Sequence, residues 1–391
     1  MSDTTLLDEP VTSATTLADL PTPCLVLDGQ KMERNMARLR DRLAEFGVVL
    51  RPHLKTAKSI DVARRLFPDA PGPITVSTLA EAEYFAGHGF SDITYAVGLA
   101  PDKAERALRL RGQGVDLKVV LDTVEQAHAL AAAGAALGVS PAALIEIDSD
   151  GHRGGLVPGD AAIGDVAAAL RTGGVQLAGV LTHAGESYGM RTPEALAASA
   201  EGERAAAVAA AAQLRQQGHQ CPVVSVGSTP TAHFAQNLNG VTEVRAGVYV
   251  FFDLVMHGIG VCRLDDIAVS VLATVIGKKP EKGWILIDAG WMALSRDRGT
   301  ASQAIDQRYG LVCDLEGRPY PDLMLAEASQ EHGILAIRAG SDRKLPDLPV
   351  GSRVRILPNH ACATAAQHDA YNVVRGARPV VEARWPRMRG W

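Results

Sequence analysis

Six short stretches of this 391-residue chain hold side chains able to do covalent or acid–base chemistry. Lys55 closes the run Arg51-Pro52-His53-Leu54-Lys55. Arg153 stands in the turn Asp148-Ser149-Asp150-Gly151-His152-Arg153-Gly154-Gly155, and His183 in Thr182-His183-Ala184-Gly185. Gly227-Ser228-Thr229 offers backbone N–H and hydroxyl donors in one turn, and Arg245-Ala246-Gly247-Val248-Tyr249 follows closely. The last stretch is Pro358-Asn359-His360-Ala361-Cys362.

A lysine amine forms a Schiff base with an aldehyde cofactor, and a donor-rich turn anchors a phosphate. Lys55 with Gly227, Ser228 and Thr229 therefore points to pyridoxal 5'-phosphate. An arginine is always charged and only donates, so beside the ring it leaves the pyridine nitrogen unprotonated. Arg153 is the candidate. A His and a Cys two apart in an extended segment face the same side. Two protein ligands leave open positions for water or substrate, the mark of a catalytic metal site. Imidazole plus thiolate suits zinc better than magnesium or calcium. Each residue also has a plainer explanation. Lys55 can be a solvated cation, Arg153 a partner of Asp148 or Asp150, His183 a packing residue, and the Gly-Ser-Thr turn a simple loop. Their shared location decides between the readings.

That location comes from the elements. Strand-like runs fall at Val48–Leu54, Ile74–Ser77, Ile93–Val97, Leu117–Leu121, Leu144–Asp148, Ala178–His183, Val223–Val226 and Glu243–Val248. Each is short, apolar and bounded by Gly, Pro, Asp or Ser. Helical stretches lie between most of them. Met32, Met36, Leu39, Leu43 and Phe46 recur at helical spacing behind Asp28, a fitting N-cap. Pro193–Gln217 reads as a long Ala-rich helix. Eight strands in βα alternation predict a (β/α)8 TIM barrel, an α/β fold whose active site lies at the C-terminal strand ends. Lys55, Arg153, His183 and both Gly-containing turns stand at such ends. No G-x-G-x-x-G follows the first strand, which argues against a dinucleotide fold.

After about Asp253 the pattern changes. Ala268–Ile276, Trp284–Asp288, Tyr309–Cys313 and Arg353–Leu357 are β-like without long helices between them. The reading is a barrel domain over 21–257 and a mainly antiparallel β domain over 258–391. Residues 1–20 form an N-terminal arm. The arginine-rich tail from Arg375 ends in Trp385 and Trp391, which need a packing surface.

Composition narrows the function. Apolar residues make up 47% and charged residues 21%, which excludes global disorder. A net charge of -5 leaves no basic footprint for nucleic acid. No apolar run reaches the ~20 residues that span a bilayer. The first twenty residues hold Asp3, Asp8, Glu9 and Asp19 but no Lys or Arg, unlike a targeting signal. Five scattered cysteines without a CxxC pair exclude a disulfide framework, and a cytoplasmic location is expected.

These stretches, with ITVSTLAEAE (74–83), DAGWMALSRDRGT (288–300) and QEHGIL (330–335), resemble fold-type III pyridoxal-phosphate enzymes of the D-serine dehydratase and D-threonine aldolase group, relatives of the alanine racemase barrel. The likeness runs from Leu20 to Trp391. It implies that Lys55 carries the cofactor and that Arg153 lies near the ring nitrogen. It implies that Gly227, Ser228, Thr229, Gly247 and Tyr249 hold the phosphate, that His183 and Tyr188 line the pocket, and that His360 and Cys362 bind a divalent metal (zinc, manganese or cobalt). The aldolase branch carries Asp where this chain has Cys362, which favours dehydration of a D-3-hydroxy amino acid, D-3-hydroxyaspartate or D-serine. Retro-aldol cleavage to glycine and an aldehyde is the alternative. A non-catalytic cofactor carrier needs neither the second domain nor the His-x-Cys, and a racemase needs a second base and no metal. A head-to-tail homodimer is implied as well. For a substrate β-carboxylate, Arg296, Arg298 and His332 are candidate cations.

Overall fold

The computed structural model describes residues 15–391; most of the expected N-terminal arm lies outside the described residues. Eight parallel strands form one sheet: β2 (Val49–Pro52), β3 (Ile74–Val76), β4 (Asp92–Gly98), β5 (Asp116–Leu121), β6 (Ala142–Ile147), β7 (Gln176–Thr182), β8 (Val223–Val226) and β9 (Glu243–Ala246). Strands β3 to β9 pair in chain order, and β9 pairs with β2. The ring closes where His53 bridges Thr75 and Leu54 N donates to Thr75 O at 2.9 Å. The expected eight-stranded barrel is thus present, strand by strand.

One strand precedes the barrel. β1 (Cys24–Asp28) pairs antiparallel with β10 (Val269–Lys279) and parallel with β16 (Ala370–Arg375). It therefore belongs to the second sheet, although the boundary at 21 places it with the barrel. Leu25, Val26 and Leu27 are all fully buried, on both faces. Such a strand needs a central position between two neighbours. Asp28 then ends the strand and caps the helix Gly29–Glu45, accepting from Gln30 N and Lys31 N.

The second domain is a nine-stranded sheet. It contains β11 (Trp284–Ile287), β12 (Leu311–Cys313), β13 (Pro319–Ala328), β14 (Gly333–Ile337), β15 (Arg353–Leu357) and β17 (Arg378–Pro386) besides β1, β10 and β16. All of its pairings except β1 with β16 are antiparallel. The tail finds its surface within its own chain. β17 pairs with β16, and Trp385 is buried with the Arg65 guanidinium 3.7 Å over its ring. Trp391 stays 86% exposed. Among the described residues no helix is long and apolar enough to cross a membrane.

The barrel interior is divided. Val120, Leu144, Ala178 and Leu181 form a small apolar cluster. Opposite them runs a buried polar chain. Arg51 donates to Asp92 Oδ1 at 2.9 Å and to Glu243 Oε2 at 2.7 Å. Ser225 Oγ donates to Glu243 Oε1 at 2.7 Å and accepts from Arg245 at 2.7 Å. Arg245 also donates to Thr182 O at 2.6 Å. Burial pulls the Arg245 pKa down to about 10, against the pull of Glu203 and Glu243.

Arg51 and Glu243 are both buried, so removing one partner strands the other's charge. Arg51→Leu is expected to cost roughly 3–5 kcal/mol, read as a lower urea midpoint at unchanged slope. A loss below about 1 kcal/mol would show that the pair holds nothing.

Candidate active site

A cavity of about 390 Å³ opens at the C-terminal ends of the barrel strands and is closed on one side by the β domain. Lys55 enters it from the loop after β2. The Lys55 side chain is exposed within the open cavity, yet the surrounding walls partly desolvate its amine and lower its pKa, with help from Arg153 and Arg245 and against the Cys362 thiolate. Lys58 does not line the cavity. It pairs at 3.0 Å with the buried Glu81, which also accepts from Ser77 N and Oγ. The structure thus separates two lysines that the sequence sets three residues apart.

Arg153 lines the same cavity and makes no ion pair among the described residues. Asp148 and Asp150, its plain alternatives, are occupied by their own turn: Asp148 accepts from Gly151 N at 2.6 Å, and Asp150 from His152 N and Glu186 N. His183 has its Nδ1 2.9 Å from Gly227 O. Burial lowers its pKa to about 3, so the ring is neutral, Nδ1 donates and Nε2 keeps its lone pair. Tyr188 lies near it, ring centroids 6.3 Å apart, and also lines the cavity.

The Gly227-Ser228-Thr229 turn is a cradle. Gly227 has φ +139°, and a Cβ there would sit 2.0 Å from Arg245 O. A Cβ on Gly247 would sit 3.0 Å from Thr56 Oγ1. The two hydroxyls of the turn differ. Ser228 Oγ is engaged with Thr231 N and Ser187 Oγ. Thr229 Oγ1 is buried at the cavity wall without a partner among the described residues. A buried unpaired hydroxyl is costly and calls for a ligand atom. Glu203, wholly missed by the sequence reading, ties the cradle down by accepting from Gly227 N and Ala184 N, each at 2.9 Å. The Tyr249 side chain does not line the cavity; it is fully buried behind it, its hydroxyl also unpaired.

His360 and Cys362 reach the cavity from the β domain. They do not share an extended segment. His360 occupies the N-cap position of the short helix Ala361–Ala365 without a side-chain capping bond, and Cys362 lies in its first turn. Asp253 makes that turn by accepting from Ala361 N at 2.9 Å, and Asn359 fixes its start by accepting from Thr300 Oγ1 at 2.6 Å. The two side chains still meet through a hydrogen bond. His360 Nδ1 lies 2.6 Å from Asp297 Oδ2, which leaves Nε2 as the ring nitrogen that meets Cys362. Burial works against charge on His360, but Asp297 and Cys362 outweigh it and raise its pKa to about 11. Burial likewise opposes the thiolate of Cys362, yet His360, Thr56 and Lys55 bring its pKa below the ordinary thiol value. Thr56 Oγ1 lies 3.2 Å from Cys362 Sγ, so the loop of Lys55 touches this pair directly.

Asp297 and Asp253 gave no sequence signal, because neither is near His360 along the chain. Of the three cations considered for a β-carboxylate, none lines the cavity. Arg296 lies over the Trp291 ring, Arg298 pairs with Asp306 at 2.6 Å, and His332 is exposed. Among the described residues no cluster of three or more His, Cys, Asp or Glu side chains is placed to hold a metal.

Comparison with known proteins places this geometry. Residues 27–255 match the family model "Alanine racemase, N-terminal domain", and residues 268–374 match "Putative serine dehydratase domain". The chain is 54% identical to a D-threo-3-hydroxyaspartate dehydratase of Delftia sp., over 96% of this chain and 99% of that one. It is 31% identical to a D-serine dehydratase of Dictyostelium discoideum, over 94% and 97%. A solved cysteine-to-alanine variant of D-threo-3-hydroxyaspartate dehydratase, in the metal-free form, superposes with a TM-score of 0.93 at 53% identity, covering 96% of this chain and all of that one. The cavity, the cradle and the His-x-Cys therefore stand in a chain that belongs to the dehydratase family of D-serine and D-threo-3-hydroxyaspartate dehydratases, lyases built on the alanine racemase barrel.

Proposed function

We propose that the protein is a pyridoxal phosphate- and divalent metal-dependent dehydratase that converts a D-3-hydroxy amino acid, D-threo-3-hydroxyaspartate or D-serine, to a 2-oxo acid and ammonia. The observation that carries this is the convergence of Lys55, Arg153 and the His360–Cys362 pair on one cavity. The residues fit the cofactor. An amine of lowered pKa faces a cradle with a buried, unpaired Thr229 hydroxyl, and Arg153 is free to meet a ring nitrogen. They also fit a catalytic cation: a thiolate-prone Cys362 and a carboxylate-held His360, whose Nε2 proton the cation would displace, supply two ligands and leave the remaining positions open. The metal-free form described for a cysteine variant of a relative supports the same assignment.

When bound, pyridoxal phosphate supplies an aldehyde and an electron-withdrawing ring, and the cation supplies a Lewis acid for the departing β-hydroxyl. The chain's own groups do the rest. Lys55 Nζ, kept less protonated than a solvated lysine, accepts the Cα proton of the D-amino acid. Arg153 donates only and keeps a facing pyridine nitrogen unprotonated. His183 stays neutral and adds no charge beside Lys55. Asp297 fixes the His360 ring, and Asp253 fixes the turn that presents it. A head-to-tail homodimer is the proposed assembly, to be checked by light scattering at assay concentration; an active monomer would refute it. Five free cysteines support a cytoplasmic location.

Incubation with D-threo-3-hydroxyaspartate, D-serine and D-threonine tests the reaction. Ammonia and a 2-oxo acid are expected from the first two, and glycine plus aldehyde as the main products would turn the reading to an aldolase. Lys55→Ala is expected to remove the visible cofactor band and to lower turnover roughly 10²–10⁴-fold or more. A band that survives in Lys55→Ala and vanishes in Lys58→Ala would reverse the assignment.

The lowered pKa of Lys55 has a direction that can be checked in the apo protein. A lower pKa leaves more free amine at a given pH. An amine-reactive label should therefore modify Lys55 at pH 8 faster than other exposed lysines such as Lys103, measured by peptide mass spectrometry. Chelation should abolish ammonia release while the cofactor band persists, and zinc, manganese or cobalt should restore it. Cys362→Ala should behave like the chelated protein. Full turnover in protein shown metal-free by elemental analysis would leave the His360–Cys362 pair a structural feature.

A further inference from the structure

Lys55 and the His360–Cys362 pair come from opposite ends of the chain, and the reaction proposed above needs them at a set separation. One side chain outside the cavity holds the backbone of both. Arg387 is buried just after the last strand. Its Nε donates to Ala57 O at 3.2 Å and to Tyr371 Oη at 2.9 Å, and Tyr371 Oη itself donates to Ala57 O at 2.8 Å. Its NH1 donates to Ala365 O and, at 3.1 Å, to His368 O. Ala57 lies two residues beyond Lys55. Ala365 ends the helix whose first turn holds Cys362.

We propose that Arg387 is a positioning residue that staples the loop of Lys55 to the helix of Cys362 and so sets the distance between the amine and the metal ligands. The inference rests on the roles given above to Lys55, His360 and Cys362. Three observations support it. The guanidinium has no carboxylate partner among the described residues; its bonds go to carbonyls and one phenol. A buried cation is poorly chosen for packing alone, and its planar fork of donors fixes several acceptors in one plane, which a lysine cannot do. Next, Met388 N donates to Lys58 O at 2.6 Å, so the same tail grips the loop again one residue past Ala57. Lys58 has φ +47°, a left-handed conformation that a non-glycine residue holds only when its surroundings impose it. Finally, the two stapled segments already touch through Thr56 Oγ1 and Cys362 Sγ at 3.2 Å. Small lateral shifts there would separate Lys55 from the metal ligands.

The test uses the full-length protein and three variants: Arg387→Met, Arg387→Lys and Trp385→Ala. Trp385 anchors the same tail against Arg65 but bonds neither segment, so it controls for loss of the tail's packing. Amide hydrogen exchange is read at residues 55–59 and 361–368, and zinc affinity by competition with a chelator. For both Arg387 variants the two segments should lose protection together, and zinc affinity should fall roughly 10–100-fold, the usual effect of removing support from metal ligands. Trp385→Ala should leave both readouts within about twofold of the parent. Should Arg387→Met fail to fold, Arg387→Lys, which keeps the charge but not the fork, is read in the same way. Unchanged protection at both segments in a folded Arg387 variant would overturn the proposal, as would a Trp385→Ala protein with the same losses. If the parent protein takes up no zinc, the metal assignment fails, and hydrogen exchange alone still decides whether Arg387 couples the two segments.

Discussion

A buried guanidinium–carboxylate pair, Arg51 with Glu243, stands at the centre of the barrel, and much of the site leans on it. Glu243 takes Arg51 on one oxygen and Ser225 on the other, and Ser225 in turn receives Arg245, which lines the cavity. Charges without water must be matched by neighbours of fixed geometry. The relay therefore ties the floor of the barrel to the floor of the cavity. The backbone of Arg245 is also what makes glycine obligatory at position 227, because a Cβ would collide with its carbonyl. The shape of the cradle and the electrostatics of the barrel are one constraint seen from two sides.

The rim depends on a different device, carboxylates that accept from backbone N–H groups. Glu203 joins the turns after β7 and β8, Asp253 builds the turn that offers His360 and Cys362, and Asp148 and Asp150 close the loop of Arg153. Each replaces flexible loop backbone with a hydrogen-bonded bend. Loops can then hold chemical groups at fixed positions while the scaffold below them stays regular.

The barrel was legible because its strands are short apolar runs with turn residues between them, and all eight appear in the structure. Lys55, Arg153, His183 and the Gly-Ser-Thr turn were legible as residues of telling type at strand ends. What escaped notice shares one physical cause: partners that meet only in three dimensions. β1 looked like the start of a barrel domain, since nothing local says that Val26 pairs with Asn372. β13 and β17 lack the simple apolar signature, carrying charged residues and few fully buried positions. The His-x-Cys read as extended because Asp253, which bends it, lies more than a hundred residues earlier. Asp297 and Glu203 were invisible for the same reason.

The placement of β1 affects how the molecule is made. The chain enters the β domain first, leaves it for the whole barrel, and returns. β1 finds its neighbours only when β10 and β16 have been synthesised. A barrel whose strands pair in chain order can assemble as it emerges from the ribosome, whereas the second sheet must wait for the end of translation. The Gly227-Ser228-Thr229 turn can therefore take shape before the His360–Cys362 turn exists. Until the last strands arrive, β1 is an apolar segment with two unpaired edges, a ready template for pairing with the wrong chain.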